Sequence, residues 1–166
     1  LPENGNLLWA KAGELERDGD IDGAIDIYDG MYERSSNSLI VANNLASLLA
    51  SHREDAESLQ RAYTVARRLR ESDVPAFQDT FGWITFRRGD HETSLDYLKA
   101  AANGLPDDVT VQYHLAANLA ALAKNKDALA QFEKVAAMID PVNPPVFAVE
   151  VAAEIARLKG PQPASE

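Results

Sequence analysis

The stretch QDTFGWITFRRGDHETSLDYLKAAANGLP, residues 78–106, holds two helical signals around one turn. Gln78-x-x-Phe81-Gly82 opens the first, and Gly89-Asp90 interrupts it. Ser94-x-x-x-Leu98-x-x-Ala101 carries the second, which Pro106 closes. Apolar residues at i, i+3, i+4 and i+7 mark one face of a helix with 3.6 residues per turn. Gly-Asp suits the break, because Gly tolerates positive φ and Asp starts a helix.

The same arrangement recurs at a spacing of about 34 residues. Downstream, Gln112-x-x-Leu115-Ala116-x-x-Leu119 leads to Ala128-x-x-x-Phe132-x-x-Val135, closed by Pro141. Upstream, Ala42-x-x-Leu45-Ala46-x-x-Leu49 precedes Ala62-x-x-x-Ala66-x-x-Leu69 and Pro75. Here the turn is lengthened by residues 52–58, read as an added loop or helical extension that leaves the stacking undisturbed. The first copy runs Leu8-x-x-Lys11-Ala12-x-x-Leu15, Gly19-Asp20, then Ala24-x-x-x-Tyr28-x-x-Met31. Small residues at 12, 46, 82 and 116 stand where a large side chain would hold paired helices apart. Ala makes up 27 of 166 residues, which suits close helix packing. The spacing predicts helices near 6–17, 21–34, 39–52, 56–72, 76–88, 91–103, 108–123, 126–138 and 145–159. The last starts at Pro144-Pro145, stops at Gly160, and sets Phe147, Val151, Ile155 and Leu158 opposite Glu150, Glu154 and Arg157.

This pattern resembles the tetratricopeptide repeat, a 34-residue helix-turn-helix unit with a small residue at the helix crossing. The resemblance covers roughly residues 5–142. It implies an all-α, right-handed α-solenoid of antiparallel helix pairs, in units at about 5–38, 39–74, 75–108 and 109–142. A capping helix at about 145–159 completes one domain over 1–160, and 161–166 form a disordered tail. Two positions depart from the pattern: Lys11 replaces a large apolar residue, and Ser94 replaces the small Ala.

Composition excludes several kinds of work. The net charge of −10 argues against nucleic acid and anionic membranes, which call for a basic surface. The absence of Cys removes disulfides, thiolate zinc sites and thiol catalysis. The apolar run 39–50 is too short to cross a bilayer. No phosphate loop, dinucleotide fingerprint or nucleophile elbow occurs, so neither an enzyme nor a cofactor is expected. His52, His91 and His114 include no i, i+4 pair for zinc. The basic clusters, Arg67-Arg68-x-Arg70 and Arg87-Arg88, read as solvated, salt-bridged faces. Asp18-Gly-Asp20-Ile-Asp22-Gly23, running on to Asp29, matches part of a calcium loop. The repeat instead makes Gly19-Asp20 a turn and puts Asp22–Asp29 in a helix.

The resemblance implies a concave groove lined by the first helix of each unit. By register it assigns Trp9, Gly13 and Glu16, then Asn43, Asn44 and Ser47, then Asp79, Thr80, Trp83 and Phe86, then Tyr113 and His114. Ala10, Ala50, Ala117 and Ala120 complete the register. Only Asn44 matches the family's carboxylate clamp, so an acidic C-terminal tail is not the implied ligand. Trp83 and Phe86 read either as groove residues or as packing between repeats. The expected work is that of a protein-interaction scaffold binding a peptide or helix. Glu16 and Asp79 favour a neutral or basic partner with apolar anchors. Homo-oligomerisation is the alternative, and Leu7, Leu8 and Trp9 are expected to abut further repeats or another chain. Residues 79–90 and 112–115 resemble repeats of bacterial envelope-associated proteins, several of which accompany exopolysaccharide export.

Overall fold

The computed structural model describes residues 5–160. The expected tail at 161–166 lies outside the described residues, within which the chain forms nine α-helices and no strand. They are α1 (Gly5–Asp18), α2 (Ile21–Arg34), α3 (Leu39–His52), α4 (Ala56–Ala66), α5 (Pro75–Arg87), α6 (His91–Gly104), α7 (Val109–Ala121), α8 (Asn125–Met138) and α9 (Ala148–Lys159). Helices α1 to α8 pack as four successive pairs, each pair stacks on the next, and α9 packs on α8. The result is an all-α helical-repeat solenoid.

Small residues place the helices. Ala12, Ala46 and Ala116 are fully buried at the crossings, as are their counterparts Ala24, Ala62, Ser94 and Ala128 on the second helices. Ser94 is accommodated because its hydroxyl donates to the Gly82 carbonyl at 2.8 Å. A buried hydroxyl thereby finds an acceptor without widening the crossing. Lys11, the other departure, is exposed.

The turns follow the residues that form them. Gly19 and Gly89 sit at φ +81° and +86°, where a side chain is strained. Asp20 then accepts from the Gly23 N–H at 3.0 Å and Asp90 from the Thr93 N–H at 3.2 Å, capping α2 and α6. With Asp20 capping and residues 22–29 helical, the ion-wrapping loop does not form. Asp22 pairs with Arg53 and Asp29 with Arg61 instead.

The α7–α8 turn has neither residue. Ala123 takes φ +54°, and Lys124 caps α8 with no side-chain bond. Left-handed Ala costs about 1 kcal/mol, and a good cap contributes about 1 kcal/mol. The double change Ala123→Gly, Lys124→Asp is therefore expected to stabilise the protein by about 2 kcal/mol in denaturant titration. An unchanged midpoint would count against this account of the turn.

Three boundaries differ from the periodic reading. Helix α4 ends at Ala66 and tightens into a 3-10 turn, Arg67–Leu69, that buries Leu69. Helix α9 begins at Ala148, three residues late, because the Pro144-Pro145 pair restricts the residue before each ring and delays the helical turn. The long turn at 52–58 shrinks to residues 53–55, since α3 and α4 absorb the rest. It is also anchored: Arg53 pairs with Asp22, its carbonyl accepts from Arg87 Nη1 at 3.1 Å, and Asp55 caps α4 at Ser58 N–H. The added residues are thus mostly helical extension, the stacking of successive pairs is undisturbed, and the short turn that remains contacts two neighbouring helices.

Candidate functional site

The residues assigned to the groove separate into two clusters. The first surrounds Tyr28, a buried residue of α2. Its hydroxyl donates to Glu16 at 2.8 Å and accepts from Asn44 Nδ2 at 3.1 Å, while Asn43 Nδ2 donates to Asn44 at 3.3 Å. Trp9 meets the Tyr28 ring edge-on at 5.5 Å. Trp9, Glu16, Asn43 and Asn44 are thus brought together, but around a tyrosine belonging to a second helix. Register along first helices alone gave no sign of it.

The second cluster joins α5, α7 and the segment entering α9. His114 and Asp79 share a hydrogen bond, with Nδ1 at 2.9 and 3.0 Å from the two carboxylate oxygens. An ionised carboxylate only accepts, so the proton sits on Nδ1. The His114 ring stacks on Trp83 at 3.9 Å, and Trp83 stacks on Phe86 at 4.8 Å. Tyr113 stacks on Phe147 at 4.2 Å, and its hydroxyl donates to Glu150 at 2.8 Å.

Between α3, α5, α7 and the approach to α9 lies an open cleft of about 640 Å³. Trp83, Tyr113, His114 and Phe147 wall it, Val146 stands fully exposed at its edge, and Arg53, Glu54, Arg87 and Glu150 also line it. Arg87 is fixed there because Nη1 donates to the carbonyls of Ala50 and Arg53 at the end of α3. Of the assigned residues, Ala50, Trp83, Tyr113 and His114 line the cleft, and Phe86 backs Trp83. Thr80 is a correction: it is buried and lies outside the lining of the cleft. Gly13 and Ser47 are partly exposed. Arg87, Val146, Phe147 and Glu150 were missed as groove residues. Phe147 and Glu150 had been read as the two faces of a cap, and a proline-delayed α9 turns both toward Tyr113.

The acids assigned to the groove are engaged within the protein. Asp79 is hydrogen-bonded to His114, and one oxygen of Glu16 accepts from Tyr28. Among the described residues, no group of three or more His, Asp or Glu is placed to hold a metal ion.

Burial pushes the Tyr28 hydroxyl up to about 12, with Glu16 adding to the rise and Asn44 opposing it. Tyr113 is raised further, by burial and then by Glu150. Both phenols hold their protons more tightly folded than unfolded. Their contribution is complete below the ordinary tyrosine value of 10.0 and is lost as pH rises toward the folded values. The melting temperature is expected to fall above about pH 10, and the Tyr28→Phe, Tyr113→Phe double variant to flatten that slope. An equally steep decline in the double variant would assign it elsewhere.

No protein-family model matches the chain, and no curated protein matches it in sequence. Solved structures do match in fold. Residues 41 to the end of MamA from Desulfovibrio magneticus RS-1 superpose with TM-score 0.68 at 15% identity, covering 95% of this chain and 84% of that one. MamA MSR-1 gives 0.68 at 15% identity, covering 93% and 84%. A thermophilic TPR protein of Thermus thermophilus gives 0.67 at 20% identity, covering 93% and 82%. At these identities the likeness is one of fold, and that fold is the helical repeat read from the sequence.

Proposed function

We propose that this chain is a non-enzymatic protein-interaction scaffold that docks a peptide or helix of a partner in the cleft between α3, α7 and α9. The observation that carries the reading is the aromatic wall. Trp83, His114, Tyr113 and Phe147 are held by mutual stacking before any ligand arrives, so little side-chain entropy remains to be lost on binding. Its fold neighbours, one of them a TPR protein, support the class. Arg53 and Arg87 balance Glu54 and Glu150 around the cleft, which favours a neutral partner bearing apolar anchors.

Val146 is the residue with which to test this, because it edges the cleft and carries no fold contact to lose. Val146→Glu is expected to abolish capture of a partner from native extract, and binding of that partner once purified, with the melting curve unchanged. Undiminished affinity in this variant would sink the cleft as the docking site. The similarity of residues 79–90 to envelope-associated repeats extends the proposal to a bacterial envelope or polysaccharide-export assembly, tested by cell fractionation.

A second reading rests on the two ends. Leu7 and Ile40 at one end, and Val142 and Val149 at the other, are exposed apolar side chains. End-to-end association of copies would cover them. Sedimentation over a range of concentrations distinguishes this, since a monomer throughout removes it.

A further inference from the structure

A separate hollow of about 330 Å³ lies between α4, α5 and α6 and shares no residue with the cleft. Its aromatic side is continuous: Tyr63 stacks on Phe81 at 6.2 Å, and Phe81 meets Tyr97 edge-on at 4.7 Å. Arg70 and Arg88 line it as well. The Arg88 guanidinium lies 3.6 Å from the Tyr63 ring centroid. Among the described residues the Arg88 guanidinium makes no other polar contact, so its donors are unspent while stacking restrains its plane. Arg70 reaches only Glu71, at 3.6 Å with both side chains largely exposed, a pairing that contributes little.

The one acid lining the hollow is Asp90. Its carboxylate accepts from the Thr93 N–H, and its charge is matched by the positive end of α6. Among the residues lining the hollow, two guanidiniums stand against one carboxylate beside an aromatic surface. The chain as a whole carries −10, so this local excess runs against the protein's own charge. A planar guanidinium fork with free donors is complementary to a planar oxyanion.

We propose that this hollow binds a carboxylate side chain from an acidic, aromatic-bearing segment of a partner protein. The carboxylate lies between Arg70 and Arg88, and the neighbouring apolar side chain rests against Tyr97 and the edge of Tyr63. The hollow is then a second docking point, independent of the concave cleft. It gives Arg70 and Arg88, one member of each basic cluster, a use besides solvation.

The test is a nuclear magnetic resonance titration of the full chain with acetyl-Glu-Phe-Glu-Phe-Glu-amide. The expected result is saturable shifts of the Arg88 Nε–H and the Tyr63 and Tyr97 ring signals, with the Trp83 indole unmoved. The Gln-for-Glu peptide and the Arg88→Gln variant should each bind about tenfold more weakly, the loss of one charge-assisted hydrogen bond. If Arg88→Gln fails to fold, Arg70→Gln replaces it, since that side chain is largely exposed. Equal affinity for the Gln peptide, or unaltered binding by the variant, would overturn the proposal. So would tighter saturation of the same signals by inorganic phosphate, which would make the site one for a tetrahedral anion. Shifts at Trp83 alone would return acidic ligands to the cleft and remove this site.

Discussion

Trp83→Ala is expected to lower the unfolding free energy by about 3–5 kcal/mol, as for an aromatic removed from a packed interior. Trp83 packs against the apolar core of both halves of the solenoid at once. One face stacks on His114 from the following repeat and the ring also stacks on Phe86. Truncation would open a void between α5 and α7 and leave the His114–Asp79 pair without its cover. The same ring lines the cleft, so the surviving folded fraction should also bind a partner more weakly, by about 2 kcal/mol or more. Thermal melting and partner affinity measured on this variant separate the two roles. A wild-type melting curve would show that Trp83 is dispensable to the stack, whereas lost stability with unchanged affinity would confine it to packing.

Gly82→Leu should be comparably severe, for the opposite reason. A Cβ at Gly82 would lie 2.9 Å from Leu98 Cδ2 and 3.0 Å from Tyr97 Cβ, both on α6. Real side chains do not pack so closely, so α5 and α6 would have to separate. Overpacking of this kind costs about 3 kcal/mol. The Ser94 hydroxyl, bonded to the Gly82 carbonyl, would lose its acceptor as the helices part. Denaturant unfolding should show a clear drop in midpoint. The reverse control is Ser94→Ala, which keeps the small volume. Tolerance of Leu at 82 would mean that α6 can shift outward freely, which the tight crossing contradicts.

How much of this was legible beforehand can be argued residue by residue. The pairing of α5 with α6 was readable because Gly82 and Ser94 sit at fixed register and because Gly89-Asp90 is a turn in almost any context. Local chemistry of this kind is written along the chain: 3.6-residue periodicity, caps, left-handed glycines and small residues every repeat. The α3–α4 turn was less legible, since Arg53 is recruited by Asp22 and Arg87 from other helices.

The concave register put Trp83, Tyr113 and His114 on one face, because position in a repeat determines the face a side chain occupies, and all three line the cleft. It could not say what those side chains would touch. Asp79 and Glu16 read as free surface charges, yet His114 and Tyr28 engage them across separations of 35 and 12 residues. Thr80 was misplaced for a related reason: one position of helix rotation moves a side chain from the groove rim into the core. Phe147 and Glu150 became cleft residues only when the paired prolines set where α9 starts. Repeat period and composition therefore determined the solenoid, whose contacts are short-range and recur. The cleft and the arginine-lined hollow were decided by tertiary structure, because each depends on side chains from several helices converging at a distance that no single stretch of sequence encodes.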